Sequence, residues 1–158
     1  MKNKKSIINI VLVEPEIPPN TGNIGRLCVG LNISLFLVGK LGFSLKNKYL
    51  KRAGLDYWDH LKYYRYKSLN ELRKEFSNSR FFYFSKKAFN VYYSANFKKG
   101  DFLIFGKETE GLPEKLLEKN KDFTYRIPMR GETRSLNLSN SVAIVAYEAF
   151  RQINWERK

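Results

Sequence analysis

Residues 6–32 read SIINIVLVEPEIPPNTGNIGRLCVGLN, and the fold turns on how that run divides. Residues 6–13 are apolar, β-branched and too short for a helix, so they predict a strand. Residues 14–23 hold three prolines and then Asn20 and Thr21, which predicts a loop with helix-capping residues near its end. Residues 22–32 predict a short helix stopped at Asn32. Strand, loop and helix form one unit of an α/β sheet, and the rest of the chain repeats it. Further strands are predicted at 33–39, 61–66, 80–85, 101–106 and 123–129, and helices at 45–54, 68–76, 112–120 and 138–154. Such alternation predicts an α/β fold with a largely parallel sheet flanked by helices. The chain shows no repeat, linker or low-complexity block, so residues 1–158 are expected to form one domain.

Composition narrows the function classes. Apolar residues make up 43% and aromatics 15% of the 158 residues, enough for a sizeable core and against global disorder. No apolar run approaches the roughly 20 residues that span a bilayer. The basic tip and apolar run of residues 1–13 have the outline of a signal peptide. Glu14 and Glu16 follow at once, however, and no small-residue cleavage site appears, which favours a first strand and a cytoplasmic protein. A lone cysteine, Cys28, excludes an internal disulfide and is expected in the core, while the lone histidine, His60, has no metal or triad partner. Net charge is +14, from 29 Lys plus Arg against 15 Asp plus Glu. The cations are scattered, so the excess points toward a polyanion without locating one, and a compositional bias toward Lys, Asn, Phe and Tyr would produce it too.

In parallel sheets, ligands sit outside the carboxyl ends of the strands. Three strand-end loops carry unusual chemistry there: EPEIPPNTGNIGR (14–26), GKETEGLPE (106–114) and the run from Arg130. The first lacks the spacing of a dinucleotide fingerprint, and no Walker motif occurs. Its helix start is a candidate anion site, with Arg26 on the first turns either meeting a phosphate or hydroxyl or merely solvated. In the second, Gly106 after a strand allows close backbone approach to a ligand, and a tight turn with solvated acids is the plainer alternative. The third, RGETRSLNLSNSVA (130–143), passes from charges through alternating Ser, Leu and Asn into an apolar helix. While extended, it would set Ser135, Asn137 and Ser139 along one wall and turn Leu136 and Leu138 inward. Capping by Ser139 or Asn140 explains one of those polar residues but not all.

These three stretches resemble the three motifs of SPOUT-class (TrmH/SpoU superfamily) RNA 2'-O-methyltransferases. The wording LVEPEIPPNTGNIGR, the GLDYW of residues 54–58 and the short chain resemble the TrmL (YibK-like) branch, which are tRNA (cytidine/uridine) wobble 2'-O-methyltransferases. The likeness extends over about residues 8–153. It implies a SPOUT-type α/β knot, a deep C-terminal trefoil that the general rule against threaded connections would not have suggested. It also implies a homodimer packed through the first and C-terminal helices, a tRNA substrate, and neither membrane nor metal. Residues 142–150 look apolar all round, which suits such a helix as well as one buried within a subunit.

The resemblance further implies S-adenosyl-L-methionine as cofactor, with S-adenosyl-L-homocysteine as product. Position by position it assigns cofactor contacts to Phe84, Gly106, Ile127, Ser135 and Leu136. It assigns the motif roles to Arg26, Asn20, Glu108 and Asn137, with Arg26 assisting the 2'-hydroxyl or a phosphate and Asn20 and Glu108 bracing the loops. Arg134 receives no role. The chain departs from the family pattern where Glu110 replaces an Arg, Gly25 an Ile, and Trp58 and His60 part of a His-Glu-Phe run. These changes bear on the RNA partner more than on the reaction. The alternatives are 2'-O-methylation of another tRNA site or of rRNA, and an RNA-binding protein that kept the fold without catalysis.

Overall fold

The computed structural model describes residues 6–46 and 48–154. Its strands are β1 (Ile8–Val13), β2 (Ser34–Val38), β3 (Tyr63–Tyr66), β4 (Phe81–Phe84), β5 (Asn90–Val91), β6 (Asp101–Gly106) and β7 (Thr124–Arg126). The helices are α1 (Pro18–Leu31), α2 (Lys48–Gly54), α3 (Leu69–Glu75), α4 (Glu114–Lys119) and α5 (Leu138–Asn154). The strands form one sheet in the order β3-β2-β1-β6-β4-β7-β5, and every neighbouring pair is parallel. The β1–β2–β3 units wind outward on one side of β1, and β6, β4, β7 and β5 lie on the other. That change of direction puts a crevice at the carboxyl ends of β1 and β6.

Strand residues alternate between two cores. On one face Ile8, Ile10, Leu12, Leu35, Leu37, Leu103 and Phe105 pack under Ile24 and Cys28 of α1 and Val142, Val145, Ala146 and Ala149 of α5. On the other, Val11, Phe36, Val38, Tyr83, Phe102 and Ile104 meet Leu72 of α3, with Leu116 and Leu117 of α4 packed alongside. This second core is built from rings: Phe36, Phe76 and Phe81 each lie within 5.3 Å of Phe102 or of one another's centroids at 5.8 Å. Offset and tilted aromatic pairs of this kind add about 0.5–1.5 kcal/mol each beyond the area they bury. Cys28 is fully buried, and that burial pushes its thiol far above the ordinary value, which makes it a core residue.

Most strand and helix positions match the sequence expectation, and the differences have local causes. Helix α1 begins at Pro18, four residues before the predicted start, with Pro18 and Pro19 in its first two positions. Proline is suited to that place, because the first-turn N–H groups have no helical partner and its φ is already helical. Asn20 and Thr21 therefore lie inside the first turn, both buried, rather than capping it. Strand β5 has only two residues and no period to read. Helix α5 is not apolar all round: its Val142, Val145, Ala146 and Ala149 side is buried, while Tyr147 is 55% exposed. Near the end of α5, Gln152 donates to Ala95 O at 3.0 Å and accepts from Phe97 N–H at 2.9 Å, fixing that end against the strand-6 approach. No helix among the described residues is long and apolar enough to cross a membrane.

Gly25 and Trp58, two positions expected to depart from the family pattern, pack directly against each other. A Cβ at Gly25 would lie 3.0 Å from Trp58 Cζ3 and 3.1 Å from Leu61 Cδ2, so Trp58 occupies the volume that a side chain on α1 would need. Trp58 is held in turn by Tyr63, with ring centroids 5.6 Å apart. Gly25→Ile should therefore destabilise by about 1–3 kcal/mol through overpacking, and Trp58→Phe in the same chain should restore much of that loss. Urea denaturation midpoints of the two single variants and the double variant measure the coupling; strictly additive effects would disprove it.

Candidate active site

The carboxyl ends of β1 and β6 are tied by two reciprocal carboxylates. Glu108, after β6, accepts from Glu16 N–H at 2.8 Å and Ile17 N–H at 3.0 Å, at the entrance to α1. Glu16, after β1, accepts from Thr109 N–H at 3.2 Å and Thr109 Oγ1 at 2.7 Å. The start of α1 is thus an anion site, as expected from its free N–H groups and positive dipole end, but the anion is the chain's own Glu108. Between the loops Glu14 adopts φ 49°, a left-handed conformation rare outside glycine, and Lys107 lies 3.0 Å from its carboxylate. The hydrogen bond to Glu14 is the main reason the Lys107 ammonium is held above its usual value.

The third loop joins through amides. Asn20 Nδ2 donates to Glu108 Oε1 at 3.4 Å, and Asn137 Nδ2 donates to Asn20 Oδ1 at 2.9 Å. Asn137 Oδ1 then accepts from Ser139 N–H at 2.8 Å and Asn140 N–H at 3.4 Å. Asn137 is therefore the residue that caps α5, and Ser139 turns to that cap instead of lining a wall with Ser135. A carboxylate only accepts, so Glu108 fixes the donor end of Asn20, which fixes Asn137, which leaves an oxygen for the helix.

The three loops enclose a cleft of about 550 Å³ outside the carboxyl ends of β1, β4, β6 and β7, a size suited to one small ligand. Phe84, Gly106, Ile127, Ser135 and Leu136 all line it, together with Asn20, Glu108 and Asn137. Phe84 and Phe105 stack there with centroids 4.7 Å apart and planes 13° from parallel. Leu136 and Leu138 also border the cleft rather than serving only the core. A Cβ at 106 would lie 2.6 Å from Leu112 Cδ2 and 3.3 Å from Val13 O, so a larger residue there would require Leu112 to shift. Gly111, at φ 70° and on the cleft wall, supplies the turn before Pro113 and α4.

Arg26 is not among the lining residues. It is exposed on α1, its guanidinium carbon 5.3 Å from the centroid of Tyr57, whose own ring is 44% exposed. Glu110 pairs with Lys107 at 3.9 Å, so its reversed charge is partly answered within its own loop. His60 is exposed at the end of the short turn after α2, and the side chains of residues 54–56 lie outside the described residues. Among the described residues no group of three His, Cys, Asp or Glu could hold a metal ion. Glu16, Thr109, Met129 and Ser141 belong to the site without having been singled out in the sequence; of these only Glu16, between two prolines and opposite an acidic loop, carried a readable signal.

The SpoU rRNA Methylase family model matches residues 7–147, a span that includes all three loops. A protein of Escherichia coli K12 named tRNA (cytidine(34)-2'-O)-methyltransferase is 41% identical over 150 residues, covering 94% of this chain and 96% of its own. A Listeria monocytogenes serotype 4b protein, provisionally given the same name, is 51% identical over 150 residues, covering 93% of this chain and 89% of its own. Among solved structures, one described as giving insight into the 2-OH methylation of C/U34 on tRNA superposes with a TM-score of 0.88 at 43% identity, covering 94% of this chain and 97% of that one.

The bonds from Thr109 hold the Glu16 carboxyl below its ordinary 4.5, the side-chain bond first and the backbone bond second. A depressed folded-state value gives stability that is present above about 4.5 and is lost as pH falls through the lower folded value. Thr109→Val, which removes the hydroxyl bond, should lower the thermal midpoint near neutrality, and the gap to wild type should shrink as the pH drops below 4.5. Melting curves across that range provide the check; a gap independent of pH would refute it.

Proposed function

The chain belongs to the SpoU methylase family, and from that premise we propose that it moves a methyl group from S-adenosylmethionine to the ribose 2'-hydroxyl of the wobble nucleotide, position 34, of tRNA. The carrying observation is that relatives 41–51% identical over more than nine-tenths of the chain bear the name tRNA (cytidine(34)-2'-O)-methyltransferase, provisionally so at 51%. A cytoplasmic location accords with such a substrate.

The cleft suits the cofactor chemically. The stacked Phe84 and Phe105 with Ile127 and Leu136 offer apolar faces to an adenine ring, and Ser135 and Asn137 offer polar groups at its edge. Lys107 on the cleft wall would answer a carboxylate of the cofactor, and Glu108 and Glu110 an amine or sulfonium. When bound, S-adenosylmethionine supplies an electrophilic methyl carbon. The chain's own part is to hold that carbon in line with the ribose oxygen, exclude water, and stabilise the negative charge that develops on the oxygen. Phe84, Gly106, Ile127, Ser135 and Leu136 do the holding; Asn20, Glu108 and Asn137 keep the three loops in register.

Arg26 answers the charge, with a phosphate of the RNA taking the proton. Because Arg26 lies on the exposed side of α1, away from its own cleft, the reading includes a homodimer packed through α1 and α5 in which Arg26 of the partner subunit faces the cleft. The exposed Tyr147 on α5 and Ile17 at the entrance to α1 suit burial in such a contact. The family's trefoil knot belongs to the same proposal.

Incubating the protein with S-adenosylmethionine and tRNA transcripts, followed by nucleoside mass spectrometry, should reveal 2'-O-methylcytidine or 2'-O-methyluridine from the wobble position; absence from every transcript would count against the reading. Arg26→Ala should lower kcat by about 10²–10³, as loss of one charge-stabilising group does, while calorimetry finds S-adenosylhomocysteine binding unchanged. Turnover near wild type would remove Arg26 from the mechanism. Affinity for tRNA should also fall steeply with added salt, and a flat dependence would contradict phosphate-dominated binding.

A further inference from the structure

The connection from β4 to β5 is unlike the rest of the surface. Ser85 N–H donates to Tyr125 O at 3.0 Å and Ala88 N–H to Ser85 O at 3.1 Å, so residues 85–88 close a tight turn on the wall of the cleft. The next residue, Phe89, is 93% exposed. A phenyl ring gains nothing from water, and Phe89 is the most exposed large apolar side chain among the described residues. Past it, β5 sets Asn90 opposite Tyr125 and Val91 opposite Arg126. Tyr92 then meets Tyr93 edge-on at 5.3 Å, and Tyr93 is 60% exposed.

Cations lie on the same connection and on the segments that neighbour it in the sheet and at the cleft. Lys86 lines the cleft, Arg126 neighbours β5 in the sheet, and Arg130 and Arg134 are exposed on the stretch that leads back to the cleft. Among the described residues no carboxylate lies within ion-pairing distance of Lys86, Arg126, Arg130 or Arg134. Lys87 differs, being paired with Glu114 at 2.5 Å. Between residues 126 and 135 the sequence has one acid, Glu132.

We propose that Phe89 and Tyr93, with Lys86, Arg130 and Arg134, form a stacking platform for single-stranded RNA, holding loop nucleotides beside the one presented to the cleft. This rests on the reading of the substrate as tRNA. Exposed rings on a connection that begins at an unneutralised cation of the cleft match unpaired nucleotides, whose bases offer π faces and whose phosphates offer charge. A duplex would keep its bases stacked on one another and leave the rings unused. An apolar protein surface would cover the rings but leave the cations unanswered. Because the turn that carries Phe89 starts on the cleft wall, the platform grips the loop sequence-tolerantly beside the nucleotide presented to the cleft.

Steady-state methylation of a tRNA transcript and anisotropy of a labelled oligocytidine, both with the full chain, test this. Phe89→Ala should raise the KM for tRNA and the Kd for oligocytidine by about 5- to 150-fold, the usual worth of one stacked base, with the KM for S-adenosylmethionine unchanged. Phe89→Trp should retain wild-type values and Phe89→Leu should behave like Phe89→Ala. Unchanged RNA affinity in Phe89→Ala, full function in Phe89→Leu, or a change of oligomeric state on substitution would each overturn the platform. Wild-type binding of oligocytidine that depends on Phe89, without methylation of any tRNA, would instead uphold the platform and defeat the methyltransferase reading.

Discussion

A single carboxylate, that of Glu108, sets the polarity of everything around the cleft. It accepts from two backbone N–H groups at the start of α1 and from Asn20, and through Asn20 it dictates which way Asn137 points and hence how α5 is capped. Hydrogen bonds to a charged group contribute about 1.5–3 kcal/mol each, roughly twice the neutral kind. Three loops that are far apart in sequence, with separations of 88 and 117 residues across the two amide links, thus become one structure with one donor–acceptor sense. Removing the charge would loosen all three at once.

The same constraint explains why strain is tolerated nearby. Glu14 holds a left-handed φ at the exit of β1, and Gly39 lies so close that a Cβ there would come within 2.8 Å of Glu14 Cγ. Such a conformation persists only where its surroundings leave no alternative. Here Lys107 from the second loop pairs with Glu14, and Glu16 two residues on is held by Thr109. The strained residue is therefore clamped by the loops that form the cleft, while the layered cores beneath supply the rigid base on which the clamp acts.

Much of this architecture was legible in the sequence because it obeys local rules. The β1 and β6 runs are short, apolar and β-branched or aromatic, and α5 begins and ends where its pattern does. What escaped notice lies in contacts between distant residues. Asn20 and Thr21 have capping chemistry, but the helix had already started at two prolines, and a carboxylate 88 residues away from Asn20 took the capping role. Helix α5 reads as apolar over 142–150 but for Glu148, yet only the fold decides that Val142, Val145, Ala146 and Ala149 face inward and Tyr147 outward. Gly25 and Trp58 each look like an isolated departure from family pattern, and their complementarity needs coordinates to see. The cleft residues were named from motif resemblance rather than from spacing, and all but Arg26 converge in the cleft of one chain.

That exception shapes the proposed function, in which one chain builds the cofactor cleft and a second would bring the charge-stabilising arginine to it. A crystal structure of the protein with S-adenosylhomocysteine bound and its symmetry mates in place tests this most directly. The account predicts the adenosyl group against Phe84, Gly106, Ile127, Ser135 and Leu136, with Arg26 of a second subunit facing the sulfur. The ligand bound elsewhere, or a cleft with no second-subunit arginine at its mouth, would contradict it.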